Sequence, residues 1–267
     1  MKNILWICPI LMMIVLMVVF MYFGFTLWSS LLIAALLICP VIILYGIVKA
    51  LRRESPLEGM LPHTRGMPLD RVAPFYDWGC RKAGLGPRFR QETIRQAALR
   101  PGERVLDVGC GTGVLTRRAA EAVGLSGKAV GIDPAPKMIA MARKNASAER
   151  SNAEFRIAVI EDLPFEDNSF DCVLSSLMLH HLPPDLKLLG LGEVKRVLRP
   201  GGRLVLVDIG RPESRLWWVV IWPLLLWSFT KDQVSGRVSV YFEKAGFSSH
   251  ERVGSWMKLL SFWVVLK

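Results

Sequence analysis

The hydrophobic pattern divides the chain into two very different parts. From residue 3 to residue 48, apolar and small residues follow one another without a single charge, whereas further on short apolar runs alternate with polar helical segments. Because about 20 apolar residues cross a bilayer, the first part is long enough for two crossings. The pattern predicts a transmembrane helical hairpin within residues 1–50, with helices at about 4–23 and 31–48.

The charges that flank this apolar part predict its orientation. Lys2 precedes it and Lys49, Arg52 and Arg53 follow it, and loops on the cytoplasmic side carry an excess of Lys and Arg. Everything after residue 50 is therefore expected on the cytoplasmic side of an integral membrane protein. A cleaved signal peptide is the alternative, but the apolar stretch runs far beyond a signal core.

The rest of the chain is predicted to be a linker and one α/β domain. Residues 51–70, rich in Pro, Gly and charge, are interpreted as a basic linker, and residues 71–267 as the domain. Short apolar runs separated by helices favour a mostly parallel sheet covered on both faces. Strands are predicted at 104–108, 129–132, 155–159, 170–175 and 203–207, and helices at 87–98, 115–123, 136–145 and 184–198.

The composition predicts contact with anionic lipid headgroups and gives no indication of a metal site. The formal charge is +11, and residues 49–104 carry 12 Lys and Arg against 6 Asp and Glu. Anionic lipid headgroups attract such a segment; nucleic acid, the competing partner of a basic chain, is not expected for a chain tethered to a bilayer. The five cysteines form no Cys-x-x-Cys pair and have no His at ligand spacing, so no metal site is predicted.

A glycine-rich turn follows the first predicted strand of the domain. Gly109, Gly111 and Gly113 lie where a bare backbone approaches a ligand at the carboxyl edge of a sheet. Their spacing differs from the dinucleotide pattern G-x-G-x-x-G and argues against a pyrophosphate cofactor. Asp107, just before the turn, favours a cationic group such as an amine. Asp133 ends the next strand, where a carboxylate accepts both hydroxyls of a ribose.

Several motifs in order and spacing identify a family. They are Val105–Gly113, Gly131-Ile132-Asp133, Leu163–Asp171, Leu179-His180-His181-Leu182 and Leu198–Gly202. Together they resemble the class I S-adenosylmethionine-dependent methyltransferases, and within them the type 11 group that includes the ubiquinone/menaquinone C-methyltransferases. The resemblance implies a Rossmann-like domain with a mostly parallel seven-stranded sheet, and S-adenosyl-L-methionine as the cofactor.

The resemblance also implies which residues hold the cofactor. The glycine loop would approach its methionine and ribose portions, Asp107 its amino end and Asp133 its ribose hydroxyls. Where Val159 stands, the family usually has an acid that meets the adenine amine; here Glu161 or Asp162 substitutes, or backbone alone holds this edge. The implied cofactor set is Asp107, Gly109, Cys110, Gly111, Thr112, Gly113, Ile132, Asp133, Pro134, Ile160, Glu161, Asp162 and Ser175.

Catalysis is predicted to need few side chains. Methyl transfer depends mainly on alignment of the reacting atoms, and a general base is required only if the acceptor must lose a proton. His180 and His181 are the candidates for that base, although either could simply cap its loop by hydrogen bonding. Tyr76 matches the family's aromatic residue that closes over the cofactor, or it could be a packing residue.

The acceptor is the least determined part of the prediction. The Asn/Asp-Pro-Pro-aromatic motif of nucleic-acid amino-methyltransferases is missing after the fourth strand, which has Ser175–Met178 there. Residues 214–230 contain four tryptophans and are interpreted as a membrane-dipping lid, or alternatively as a buried helix. A lipophilic acceptor (a quinone precursor or a phospholipid headgroup) is favoured; a soluble thiol or amine acceptor and a non-catalytic cofactor-binding scaffold stay open. The oligomeric state is not predicted.

Overall fold

The computed structural model describes residues 64–66, 73–221 and 228–267. The two predicted membrane helices and most of the predicted linker lie outside these residues. Within the described ranges, no helix has both the length and the apolar composition that a membrane crossing requires.

Eight α-helices and seven strands make up the described part of the domain. The helices are α1 (Ala73–Lys82), α2 (Pro87–Ala97), α3 (Val114–Val123), α4 (Pro136–Ala148), α5 (Pro184–Val197), α6 (Arg215–Ile221), α7 (Ser228–Val234) and α8 (Val238–Lys244). The strands are β1 (Arg104–Val108), β2 (Lys128–Asp133), β3 (Glu154–Ile157), β4 (Phe170–Ser176), β5 (Leu198–Ile209), β6 (Ser249–Trp256) and β7 (Leu260–Leu266). A short 3-10 helix covers Leu179–His181.

All seven strands form one sheet in the order β3-β2-β1-β4-β5-β7-β6. The first five pair in parallel, and β7 pairs antiparallel with both β5 and β6. This confirms the mostly parallel, Rossmann-like sheet. Val108 is in register with Ile132 of β2 and Ser175 of β4, so the carboxyl ends of these three strands meet at one edge, where ligands of open α/β sheets bind.

The apolar strands bury side chains on both faces of the sheet. In β1, Val105 belongs to a cluster with α2 and α3, whereas Leu106 and Val108 belong to the larger cluster that includes α5 and α8. Alternation of side chains along a strand explains the division. The apolar runs of the sequence are therefore strands buried on both sides, as the pattern predicts.

Two strand boundaries differ from the sequence prediction. β5 begins at Leu198, not at residue 203, because Leu198 already pairs with Phe170. The register then shifts at the Pro-Gly-Gly stretch, and pairing continues between Cys172 and Arg203. β3 ends at Ile157, since Val159 leaves the sheet and forms an isolated bridge with Asp162.

Candidate active site

The glycine loop joins β1 to α3 and lies across the end of β2. The backbone N–H groups of Gly109 and Cys110 both donate to the Ile132 carbonyl oxygen, each at 2.9 Å. Asp133 then accepts from the Gly111 N–H at 3.0 Å and, through its other oxygen, from the Ala135 N–H at 2.9 Å. The loop and the acid at the end of β2 are thus held together as one unit.

Two of the glycines are required by their backbone angles and by their neighbours. Gly109 has φ +71° and Gly113 has φ +77°, a region that side chains disfavour. A Cβ at Gly109 would lie 2.3 Å from Cγ of Met178, and one at Gly113 would lie 2.5 Å from the Phe155 ring. Gly113 therefore permits close helix–sheet packing, while Gly109 lets the loop approach the chain that follows β4.

A cleft with about 660 Å³ of empty space, measured out to the solvent, opens beside this loop. Its inner wall is apolar and is formed by residues that follow β2 and β3, with Asp133 at one side and His181 at another. Besides these two, the lining residues are Thr64, Gly66, Tyr76, Gly109, Gly111, Ile132, Pro134, Met138, Ala158, Val159, Ile160, Glu161, Leu177, Met178 and Leu182.

Glu161, rather than Asp162, is the acid that the chain brings into this cleft. Glu161 is half-buried in the lining, and its Oε2 atom is buried without a hydrogen-bond partner among the described residues. Asp162 is exposed and lies outside the lining. Val159, where the family acid is expected, presents an apolar side chain to the cleft. A buried carboxylate oxygen without a donor is costly, so this position suits a ligand that donates a hydrogen bond.

A smaller cleft of about 290 Å³ lies behind the glycine loop and contains opposite charges. Buried Arg90 of α2 lines it and donates from Nη1 to Oγ of Ser176 at 3.2 Å. Asp107 lines it too and accepts from the Thr116 hydroxyl at 2.6 Å. Burial raises the pKa of Asp107 to about 6, although the Thr116 hydrogen bond opposes the shift. This cation and this acid together suit a zwitterionic amino-acid group.

Helix α1 roofs both clefts. Tyr76 lines the two of them, and burial raises the pKa of its hydroxyl well above the ordinary value. Two contacts hold the helix in place: Asp77 accepts from the Thr112 hydroxyl of the glycine loop at 2.7 Å, and Ala73 packs against Met138. Tyr76 therefore lies where the two clefts meet, and its closure over a ligand stays a prediction.

The two histidines have different surroundings. His180 Nδ1 lies 2.6 Å from Oδ1 of Asp208, whose other oxygen accepts from the His180 backbone N–H at 3.1 Å. Burial would raise the pKa of Asp208, but His180 holds it below its ordinary value. The His181 ring packs against the His180 ring, with centroids 4.0 Å apart and the ring planes tilted by 42°. Burial, helped by the adjacent His180, lowers the pKa of His181 to about 3, so His181 is neutral at physiological pH.

The structure brings most of the predicted site residues together. Nine of them line the main cleft: Tyr76, Gly109, Gly111, Ile132, Asp133, Pro134, Ile160, Glu161 and His181. The smaller cleft adds Asp107, Cys110 and Thr112. Four line neither cleft: Gly113, Asp162, Ser175 and His180. Ser175 is buried at the end of β4, and its hydroxyl has no partner among the described residues.

Three polar residues of this edge are not identified by the sequence prediction. Arg90 is one of several basic residues on a polar helix, and nothing in the pattern distinguishes the buried one. Asp77 is a partner of the glycine loop that only the packing of α1 reveals. Asp208 was open to detection, because it follows the apolar run of β5 just as Asp107 and Asp133 lie near the ends of β1 and β2.

Among the described residues, no three His, Cys, Asp or Glu side chains are arranged to hold a metal ion. Cys110 and Cys172 are buried free thiols and Cys80 is a half-buried one. Burial raises the pKa of all three.

Known proteins with similar sequences show the family to which this chain belongs. Residues 105–202 match the methyltransferase domain family. The chain is 31% identical to the demethylmenaquinone methyltransferase of Symbiobacterium thermophilum over 183 residues, which are 64% of this chain and 72% of that relative. The chain belongs to the class I S-adenosylmethionine-dependent methyltransferases. It is a methyltransferase with S-adenosylmethionine as its cofactor, as predicted, and the alternative of a scaffold without catalysis is not supported.

Two further similarities agree with this membership. The chain is 38% identical to the ubiquinone/menaquinone biosynthesis C-methyltransferase of Hahella chejuensis over 149 residues, 54% of this chain and 59% of that protein. A crystal structure of an S-adenosylmethionine-dependent methyltransferase from Aquifex aeolicus superposes with a TM-score of 0.55 at 24% identity, covering 66% of this chain and 88% of that one. The latter likeness shows the fold alone.

The residues present in the two clefts fit this cofactor. Its amino-acid end matches the opposite charges of Arg90 and Asp107, and its ribose matches the carboxylate of Asp133. The purine matches the apolar wall, and its amine would supply a donor to the buried Oε2 atom of Glu161. The bare glycine loop leaves room between these three positions.

Proposed function

We propose that this methyltransferase transfers the methyl group to a ring carbon of a hydroxylated, quinone-type lipid, and that it does so while attached to a membrane. The observation that carries the proposal is the pair formed by His180 and Asp208, next to His181 and Leu182 in the lining of the main cleft. Relatives named for demethylmenaquinone and for ubiquinone/menaquinone C-methylation support the acceptor class.

Cofactor binding is assigned to the residues of the two clefts. We assign the amino-acid end to Arg90 and Asp107, the ribose hydroxyls to Asp133 and the adenine amine to Glu161. When bound, S-adenosylmethionine supplies an activated methyl group on a positively charged sulfur. Tyr76 and the α1 helix then exclude water from the reacting atoms, which favours transfer over side reactions.

His180 is assigned the role of general base. A hydroxylated ring becomes a stronger carbon nucleophile when its hydroxyl gives up a proton, and one proton must leave the acceptor for every methyl group gained. His180 offers its Nε2 atom, because Nδ1 lies against Asp208, and a proton taken up there is held next to a buried carboxylate. His181, whose pKa is about 3, does not take up a proton at neutral pH. Its neutral ring instead forms part of the cleft wall.

Membrane attachment is assigned to residues 1–50. Their 46-residue uncharged run and basic flanks support a hairpin with the catalytic domain, residues 71–267, on the cytoplasmic side. A quinone-type lipid stays in the bilayer, so an anchored enzyme meets it at the surface. The tryptophans of residues 214–230 support a lid that contacts this surface; residues 222–227 of this segment lie outside the described residues.

The acceptor is tested with the full chain in native membranes and a methyl-labelled cofactor. We expect label in the organic extract, increased by a reduced quinone precursor that lacks the methyl group. The label should resist hot hydriodic acid, which releases methyl groups bound to oxygen as methyl iodide. Label confined to water-soluble products would contradict a lipid acceptor, and label released by hydriodic acid would contradict transfer to carbon. Soluble thiols and amines, added in parallel, test the alternative acceptor class.

A further inference from the structure

Helix α1 has two opposite faces, and only one of them serves the cofactor clefts. Ala73, Tyr76 and Cys80 lie on the inner face, at the three- and four-residue spacing of one side of a helix. Phe75 and Trp78 lie on the other side, where their exposed fractions are 73% and 61%. A soluble surface rarely presents two large aromatic side chains next to each other, so this outer face requires an explanation.

The exposed aromatic side chains continue beyond α1. The turn after α1 contacts the β6–β7 turn, since Trp256 Nε1 donates to the Gly84 carbonyl oxygen at 3.0 Å. Met257 in that second turn is 44% exposed, and its carbonyl oxygen accepts from Trp217 Nε1 of α6 at 2.6 Å. Trp218, also on α6, is 39% exposed. We call the surface formed by Phe75, Trp78, Met257 and Trp218 the aromatic face.

The strand pairing places the aromatic face at the edge of the sheet that holds the clefts. Trp256, the last residue of β6, is in register with Leu260 of β7, and Leu260 is in register with Ile209 at the carboxyl end of β5. The β6–β7 turn therefore lies at the same edge as the glycine loop. A partner that covers the aromatic face would lie beside the opening through which an acceptor enters.

The charges around the aromatic face are mostly positive. Four exposed basic residues adjoin it: Arg81 and Lys82 at the end of α1, Arg215 at the start of α6, and Lys258 beside Met257. The exposed acid of this region, Glu213, is already paired with Arg252. Aromatic side chains with a basic surround fit the headgroup level of an anionic bilayer, where tryptophan rings and lysine or arginine charges are both favourable.

We infer that the aromatic face docks on an anionic membrane surface, with α1 lying along the bilayer. The sequence supplies the partner, because α1 begins 24 residues after Lys49, which ends the uncharged apolar run. The inference rests on the membrane attachment proposed above and not on the identity of the methyl acceptor. The membrane would contact the outer face of the helix that carries Tyr76. Membrane contact would therefore be coupled to closure of the cofactor clefts.

The test measures the depth of spin labels on the full chain reconstituted in vesicles of phosphatidylcholine and phosphatidylglycerol. Labels are placed at Phe75→Cys and Trp78→Cys, and the control is Leu125→Cys. Leu125 is 96% exposed in the turn before β2, at the opposite edge of the sheet. The labelled variants carry serine in place of Cys8, Cys39 and Cys80, and the buried Cys110 and Cys172 stay.

We expect labels at 75 and 78 to be relaxed mainly by oxygen, which concentrates in the bilayer, and the label at 125 mainly by a water-soluble nickel chelate. The double variant Arg81→Glu and Lys82→Glu should lower the equilibrium constant for docking about thirtyfold, because each basic residue near an anionic surface contributes about a factor of five. Arg100→Glu with Arg150→Glu, exposed at the opposite edge, makes the same change of charge and should leave docking intact.

Other outcomes overturn the inference in distinguishable ways. If carbonate washing leaves the chain on the vesicles while labels at 75 and 78 remain as open to the nickel chelate as the label at 125, docking is wrong and attachment stands. If the washed vesicles lose the chain, attachment and docking are both wrong. Magnetic broadening between labels on two chains would identify a second copy as the occupant, and would also overturn docking on lipid.

Discussion

The two halves of the carboxyl edge are built in different ways. The centre of the cofactor half is local: loop residues 109–113 and Asp133 lie within 25 positions of one another, and their contacts are mostly backbone hydrogen bonds. Arg90 and Asp77 join it from helices α2 and α1. The half to which we assign the acceptor, here called the acceptor half, is assembled from distant segments, since His180 meets Asp208 and Lys187 meets Gln233 across 28 and 46 positions. The glycine loop thus depends on residues close in sequence, whereas the acceptor half depends on tertiary packing.

The halves also differ in how their charges are buried. In the cofactor half, Arg90 and Asp107 line the smaller cleft, to which we assign the zwitterionic end of the cofactor. In the acceptor half, Lys187 is fully buried and donates to Gln233 at 2.9 Å, and burial lowers its pKa. Buried polar groups of this kind stabilise one arrangement only when each is paired. The acceptor half therefore depends on contacts with α7, the helix that follows the tryptophan-rich segment.

The largest expected effect separates the two halves by activity. His180→Gln should lower the methyl-transfer rate about 10²- to 10⁴-fold, the usual contribution of a general base, while cofactor affinity stays unchanged. Asp208→Asn should act in the same direction, because it removes the carboxylate that pairs with Nδ1 of His180. His250→Gln, on β6 at the opposite edge, is the control. Loss of cofactor binding in the His180 variant would contradict the division into halves.

The next effect concerns the cofactor half alone. Glu161→Ala should weaken binding of S-adenosylhomocysteine about 10- to 100-fold in calorimetry, because a hydrogen bond to a charged group contributes about 1.5–3 kcal/mol. Asp162→Ala, one residue further and exposed, should change affinity by about twofold or less. Val159→Asp added to Glu161→Ala should restore part of the loss. Equal effects at Glu161 and Asp162 would show that neither acid binds the adenine amine.

The smallest expected effect is a pH dependence of stability in the acceptor half. The pKa of His181 is about 3 in the folded protein and about 6.5 in an unfolded chain. Between these values the unfolded state binds more protons, so the free energy of unfolding falls as the pH falls. From pH 7 to pH 5, the free energy of unfolding measured by denaturant titration should fall by about 2 kcal/mol more in the unaltered protein than in His181→Gln. If the unfolding free energies of the two proteins change with pH in the same way, His181 is not held neutral by the fold.

The sequence alone determines the elements of the site that depend on local backbone. The apolar run of β1, the positive-φ glycines after it and the acid that ends β2 occupy consecutive or nearly consecutive positions. Strand length, turn geometry and hydrogen bonding of the turn follow from those few residues. For this reason the loop and the order of the first five strands along the chain are predictable, and the structure confirms them. The cofactor is predicted from the resemblance of these motifs to a family, and the comparisons confirm it.

Tertiary structure alone decides which of several chemically equivalent side chains lie in or beside the candidate active site. Two acids follow Val159, and the exit of the chain from β3 turns Glu161 into the cleft and Asp162 to solvent. Two adjacent histidines follow β4, and the end of β5 gives Asp208 to His180 while burial leaves His181 neutral. Arg90 is one basic residue among many until α2 packs beside β4. Burial, charge pairing and orientation arise from contacts between distant segments, which a local pattern of residues does not contain.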